Sequence, residues 1–271
     1  MEYQQPRVGA AISLLDLPRL KPWLLEGMRD LELQDFCFAS ILDGDWQGLA
    51  AQAKRMLDGF AGRLGIHGPF RGFEMDARDP DIQAVVARRM DQTVDVAVAL
   101  DARQIVIHSP YRTWDFHNID LRPRARDQKI EAAHGCLAAA VKRAETAGVA
   151  FVIENIADID PNDRLVLAQS FGSEAVKLSV DTGHAHFAHT MLGAPPATDF
   201  IRSAGRFLGH VHLQDCDGRA DRHWAIGAGN IDWAGIFQAL DETRANPHLV
   251  LELNDSGDIP ASMAALKGLA V

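Results

Sequence analysis

Short apolar runs alternate with helix-length amphipathic segments along the chain. Val8 to Ile12, Leu31 to Phe36, Leu64 to His67, Gln104 to His108, Val149 to Glu154, Ala175 to Asp181, Phe207 to Leu213 and His248 to Leu253 read as eight strands. Most are continuous β-branched or apolar runs, the pattern of strands covered on both faces. Helices are predicted over Leu17–Arg29, Trp46–Arg63 and Pro80–Leu100, then from the end of a long fourth loop to about Ala147, and from Pro260 to about Leu269. In the third of these, Ile82, Val85, Val86, Met90, Val94 and Val98 recur at intervals of three or four and form one apolar stripe. Gly68-Pro69 and Ser109-Pro110 stop the third and fourth strands, and Gly148 closes a helix.

Two-face-buried strands joined by helices imply a parallel sheet, because parallel neighbours need crossover connections. Eight such units at this length predict an α/β fold, a (β/α)8 TIM barrel forming one domain over residues 1–271. A doubly wound open sheet would call for a Gly-rich turn after the first strand, and AAISLLDL has none. GAGNID at 227–232 lacks the third glycine of a dinucleotide fingerprint.

Composition narrows the function classes. Hydrophobic residues make up 47% of the 271, enough for a sizeable core. The net charge of −10 argues against a whole-surface grip on nucleic acid. No apolar run approaches the roughly 20 residues needed to span a bilayer. MEYQQPRVGAAIS has no basic region followed by an apolar core, so a cytoplasmic protein is expected. Cys37, Cys136 and Cys216 are far apart and form no CxxC pair, and they read as small buried hydrophobes.

Metal-competent side chains gather at the strand ends. His67, His108, Glu154 and Asp181 close strands three to six, with His184 three residues past Asp181. His212 is at the end of strand seven, Asp221 and His223 lie in its loop, and Glu252 is at the end of strand eight. Barrel chemistry is assembled at the C-terminal ends of several strands, so nine such groups are expected around one mouth. Taken singly, each has a bland reading. His67 or His108 could be a hydrogen-bonded structural histidine, and Asp181 a helix N-cap. Glu154 and Glu252 are harder to explain this way, because each ends an apolar run (FVIE, LVLE) where a carboxylate is rarely buried alone. The stretch from His210 to Trp233, rich in imidazole, carboxylate and glycine, reads as part of this site. A divalent metal would remove the cost of burying these groups together. In the 110–126 loop, Arg112, Trp114 and His117 are candidates for covering substrate. His134 and His248 read as surface residues.

HGPF, VIHSPY, VIEN, SVDTGHAHF, HVHLQD, DRHWAIGAGNIDW and LVLELN occur in that order over residues 67–254. In them the chain resembles the xylose isomerase-like barrel superfamily, which holds sugar and sugar-phosphate isomerases and epimerases and also endonuclease IV-type apurinic-site nucleases. The resemblance implies a Mn²⁺, Mg²⁺, Co²⁺ or Zn²⁺ ion on Glu154, Asp181, His212 and Glu252 in the first group, with Glu154 and Glu252 as the acid–base pair. In the second, His67, His108, His184, Asp221 and His223 would complete a three-zinc cluster, giving one to three ions. The expected activity is a metal-dependent isomerase or epimerase acting on a small sugar or sugar phosphate. The alternatives are a zinc-cluster phosphodiesterase and a metal-stabilised binding protein. The charge, the loops without a clear basic or intercalating segment, and the histidine-free first strand argue against a nucleic-acid partner. No membrane partner is expected, and a homo-oligomer stays open.

Overall fold

The computed structural model describes residues 7–269. Eight parallel strands close a barrel in sequence order: β1 (Val8–Ile12), β2 (Asp30–Leu33), β3 (Arg63–His67), β4 (Gln104–His108), β5 (Ala150–Glu154), β6 (Val176–Asp181), β7 (Leu208–Leu213) and β8 (His248–Leu251). β8 pairs back onto β1 with Val8 opposite Leu249, which completes the expected single-domain TIM barrel. The helices are α1 (Leu17–Leu25), α2 (Ala39–Leu42), α3 (Trp46–Met56), α4 (Pro80–Leu100), α5 (Thr113–Asn118), α6 (Ala125–Ala147), α7 (Pro161–Ser170), α8 (Thr182–Phe187), α9 (Ala197–Ala204), α10 (Trp233–Thr243) and α11 (Ile259–Leu269). None among the described residues is long and apolar enough to cross a membrane.

The apolar strand residues are buried against the barrel interior or the helix ring, as a sheet covered on both faces requires. Gly9 is needed where β1 and β2 meet, since an added Cβ would lie 1.4 Å from the Asp30 carbonyl oxygen. Cys37, Cys136 and Cys216 are all buried and unbridged.

Several boundaries differ from the pattern-based expectation, each for a local reason. α1 ends at Leu25, short of Arg29, because Arg29 folds back and its Nε donates to the Trp23 carbonyl at 2.7 Å, satisfying a helix-end acceptor. β2 ends at Leu33, short of Phe36, because the chain turns into a 3₁₀ helix at Asp35–Cys37. The Asp35 carboxylate then accepts the Leu14 N–H at 2.8 Å and ties the β2 loop to the β1 loop. The long loop after β4 contains α5 and a further 3₁₀ turn. His248 is buried, not on the surface, because it enters β8 on the barrel floor opposite His210.

Two devices hold the ends of β5 and β6 together. Arg164 of α7 is fully buried, and its Nη1 donates to the carbonyls of Ile153 and Ser179 at 2.8 and 2.7 Å. The Asn155 side chain accepts the Asp181 N–H at 2.9 Å and donates to the Asp181 carbonyl at 3.1 Å. Both clamps lie beside Glu154 and Asp181.

Candidate metal centre

The nine metal-competent residues meet at the C-terminal face of the barrel and divide into three donor groups. Glu154, Asp181, His212 and Glu252 each offer one atom within 4.8 Å of the others. His67, His108 and Glu154 form a second group on the same criterion, and His184, Asp221 and His223 a third. Glu154 joins the first two. Around the third, His223 approaches the central Glu252 carboxylate at 3.6 Å and His184 approaches the Asp181 carboxylate at 3.6 Å.

The orientation of each imidazole follows from what its other nitrogen touches. His67 Nδ1 lies 2.8 Å from the Gly68 carbonyl, His184 Nδ1 3.0 Å from the Asn155 carbonyl, and His223 Nδ1 3.0 Å from the Glu252 carbonyl. A carbonyl only accepts, so Nδ1 carries the proton in each ring and Nε2 faces the donor group. His212 is reversed. Its Nε2 lies 3.1 Å from Glu32 Oε1, and its Nδ1 faces Glu154 at 3.0 Å and Glu252 at 3.4 Å.

Gln214 links the central group to the loop group. Its Nε2 lies 3.2 and 3.3 Å from the two Asp181 oxygens and 3.0 Å from Asp221 Oδ1, and its Oε1 accepts the His223 N–H at 2.7 Å. An added Cβ at Gly183 would come within 2.3 Å of this amide, so only glycine leaves room for it. His223 has φ +47°, a left-handed conformation that costs a non-glycine residue energy and that the surrounding bonds hold in place. Asp181 is also the N-cap of α8, accepting the His184 N–H at 2.7 Å, so the capping and ligand readings of that residue are compatible. Asp215 is not a solvated loop carboxylate. It is buried and accepts the Gly227 N–H at 2.7 Å and Trp233 Nε1 at 3.1 Å, which organises the whole 210–233 stretch.

The donor set fits a divalent cation. Glu154 Oε2 is buried and has no hydrogen-bond partner among the described residues, while His67 Nε2 and His108 Nε2 stand 3.7 and 3.6 Å from it. These contacts are too long for hydrogen bonds. Two ligands each about 2.1 Å from a tetrahedral ion lie roughly 3.4 Å apart, close to the spacing here. Lone pairs of imidazole nitrogen aimed at carboxylate oxygen repel unless a proton or a metal ion stands between them.

The electrostatics reflect the same crowding. Burial opposes the charge on Glu154, but His212, His184 and His67 outweigh it and hold the carboxyl well below its usual range. Burial raises the Glu252 carboxyl, and the Glu154 charge adds to the rise. Burial works against a proton on His223, yet Asp221 and Glu252 bring its pKa up to about 9. His108 goes the other way, pushed down to about 3 by burial.

Seven of the nine, all but Asp181 and His212, line a cavity of about 520 Å³ whose wall also includes Gln34, Phe38, Phe70 and Arg71. Arg112, Trp114 and His117 are not among the residues lining it. Arg112 is paired with Glu74, Trp114 lines a separate cavity of about 210 Å³ beside α5, and His117 packs edge-on against Phe116. The structure adds polar partners that the sequence pattern does not single out. Glu32 lies beneath the central group, 3.1 Å from His212 and 3.2 Å from His210, and Gln34 donates to Glu252 at 2.5 Å. DLEL carries the same signal as FVIE and LVLE, a carboxylate inside an apolar strand. Gln214 and Gln34 are neutral residues just past strand ends, and no periodicity marks them.

A parallel barrel with converging carboxylates and imidazoles at the C-terminal ends of its strands defines an enzyme-type TIM barrel. The chain belongs to the xylose isomerase-like TIM barrel family, whose model matches residues 32–270. It is 27% identical over 216 residues to L-ribulose 3-epimerase of Mesorhizobium japonicum, a match covering 77% of this chain and 66% of that enzyme. A D-tagatose 3-epimerase-like protein superposes with TM-score 0.78 at 19% identity, covering 97% of this chain and 96% of the other. The TTHB071 protein of Thermus thermophilus, whose structure followed soaking with ZnCl₂, superposes with TM-score 0.69 at 26% identity and 97% coverage of both chains.

Proposed function

We propose that this chain is a metal-dependent sugar isomerase or epimerase that moves a proton on a carbon beside a carbonyl. The observation that carries the reading is the pairing of Glu154 and Glu252, both at His212 Nδ1 at 3.0 and 3.4 Å, on the floor of one ligand-sized cavity. Glu154, Asp181, His212 and Glu252 would hold a divalent ion, which when bound supplies Lewis-acid polarisation of an adjacent carbonyl and hydroxyl. Glu154 and Glu252 would act on the substrate carbon, one removing a proton and the other returning it. Return from the opposite face inverts the centre, and delivery to the neighbouring carbon isomerises it. Gln34 fixes the Glu252 carboxylate, and Glu32 fixes the His212 ring. The likeness to L-ribulose 3-epimerase supports a ketose as substrate.

The direct test is exchange of carbon-bound hydrogen with D₂O, followed by NMR, across ketopentoses, ketohexoses and their phosphates with Mn²⁺- or Zn²⁺-loaded protein. Exchange at a carbon beside the carbonyl is expected. Its absence across the panel overturns the reading.

A second reading, a phosphoester hydrolase with a multi-zinc cluster, is favoured by one observation: His67 with His108, and His184 with Asp221 and His223, complete two further donor groups. Elemental analysis giving about three zinc ions per chain, together with nicking of an abasic-site duplex, would select it over the first.

A further inference from the structure

The cavity above the donor groups is acidic, with Asp35, Asp221 and the two glutamates in its wall, and Arg71 is the one Lys or Arg among the described residues lining it. Arg71 lies four residues past His67, in the loop between β3 and α4. Its guanidinium carbon stands 5.1 Å from the Phe70 ring centre and 5.8 Å from that of Phe38. Phe70 in turn stacks on His108 at 4.1 Å, so a single aromatic ring separates the arginine from the second donor group. In a chain of net charge −10, no carboxylate of the described residues pairs with Arg71, whereas Arg112 of the next loop is taken by Glu74.

Two aromatic faces restrict a guanidinium while leaving its N–H edge free, and that edge is matched to the paired oxygens of phosphate or carboxylate. The floor glutamates repel an anion, and above them Arg71 is the one guanidinium or ammonium among the described lining residues that could hold it. We propose that the substrate is a sugar carrying a phosphate or carboxylate at the end remote from the reacting carbons, and that Arg71, exposed on the wall beside Phe38 and Phe70, binds that group. The inference deepens the sugar isomerase/epimerase reading and rests on it for the identity of the sugar.

Isothermal titration of the metal-loaded chain tests it with two probe pairs: D-ribulose 5-phosphate against D-ribulose, and D-fructuronate against D-fructose. One charged member is expected to bind at least about tenfold tighter than its neutral counterpart, the scale of a charge-assisted hydrogen bond. The pair that shows the preference identifies the anion as phosphate or carboxylate. In Arg71→Ala the ratio should fall to near one with little change for the neutral sugar, and Arg71→Lys should recover part of it. Equal binding of charged and neutral sugars by the unaltered chain, or a preference that survives Arg71→Ala, overturns the proposal. Carbon–hydrogen exchange is read separately, so the two readings fail independently. An Arg71-dependent preference without exchange on any sugar keeps the anion site and removes the isomerase. Exchange that ignores both Arg71 and the substrate charge does the reverse.

Discussion

The two ends of the barrel both bury charge, and they treat it in opposite ways. On the floor, Asp30 is fully buried and its oxygens receive Arg63 Nε and Nη2 at 2.7 and 2.6 Å and the Leu249 N–H at 3.0 Å. Arg63 turns its remaining donors to the carbonyls of Asn246 and Pro247, both at 2.8 Å. At the mouth, Glu154 Oε2 has no hydrogen-bond partner among the described residues, and His67, His108 and His184 face carboxylates across gaps of 3.4 to 3.7 Å, beside closer pairs such as His212 with Glu154 at 3.0 Å. A saturated network closes the barrel and has nothing left to offer a ligand. The unsaturated one has donors oriented by backbone carbonyls and by Glu32, and leaves the space between them to be filled.

The sharpest way to break this comparison is to alter one charged group at each end. Glu154→Gln and Glu252→Gln should each lower turnover by about 10²–10⁴-fold, the range for losing a positioned acid or base. The circular dichroism spectrum should stay unchanged. Near-normal rates in both variants would sink the acid–base assignment. Asp30→Ala should instead cost about 3–5 kcal/mol of stability, because it leaves the Arg63 charge half-buried and unpaired. Arg63 keeps some solvent exposure, which places the loss toward the lower end. Metal content per folded chain should not change. If denaturant melts show Asp30→Ala as stable as the parent, the floor network does not close the barrel.

Most of the barrel is legible because parallel strands buried on both faces write themselves as continuous apolar runs, and all eight follow from them. Strand ends are less so. β2 and β8 are each shorter than their apolar runs, since Phe36 and Leu253 pack as loop residues and their burial does not depend on ladder hydrogen bonds. The donor residues stand out through ionisable groups at the ends of apolar runs. Glu32 gives the same signal less clearly, because it is inside β2 rather than at its tip. Arg71, Phe38 and Phe70 reach the cavity by loop geometry, which no spacing rule encodes, while the arginine-rich 110–126 stretch that composition favours folds to one side around α5.

Within the mouth, the three donor groups can be separated by metal content. Asp221 belongs only to the loop group and is half exposed, so Asp221→Ala should remove about one bound ion per chain if three are held and none if one is held. Asp181→Ala should empty the central group in either case. Elemental analysis of protein purified with zinc reads both. A full complement of metal in Asp181→Ala would show that these residues are not its ligands.

The smallest expected effect is on the floor, and it is a dependence on pH. His248 is buried opposite His210, and burial, followed by the nearby Arg63 charge, pushes its pKa down to about 3. An unfolded histidine titrates near 6.5. Between these values the unfolded chain binds a proton that the folded chain refuses, so stability present above about pH 6.5 is lost as the pH falls toward 3. At pH 5 the loss from this one residue amounts to about 2 kcal/mol, given roughly 1.4 kcal/mol per pH unit. His248→Gln carries no proton in either state, so its stability should fall less steeply than the parent's between pH 7 and pH 5. Parallel urea-denaturation profiles for the two chains over that interval would mean that the floor histidine is charged in the folded protein, and the floor would then hold an acceptor for it besides Asp30.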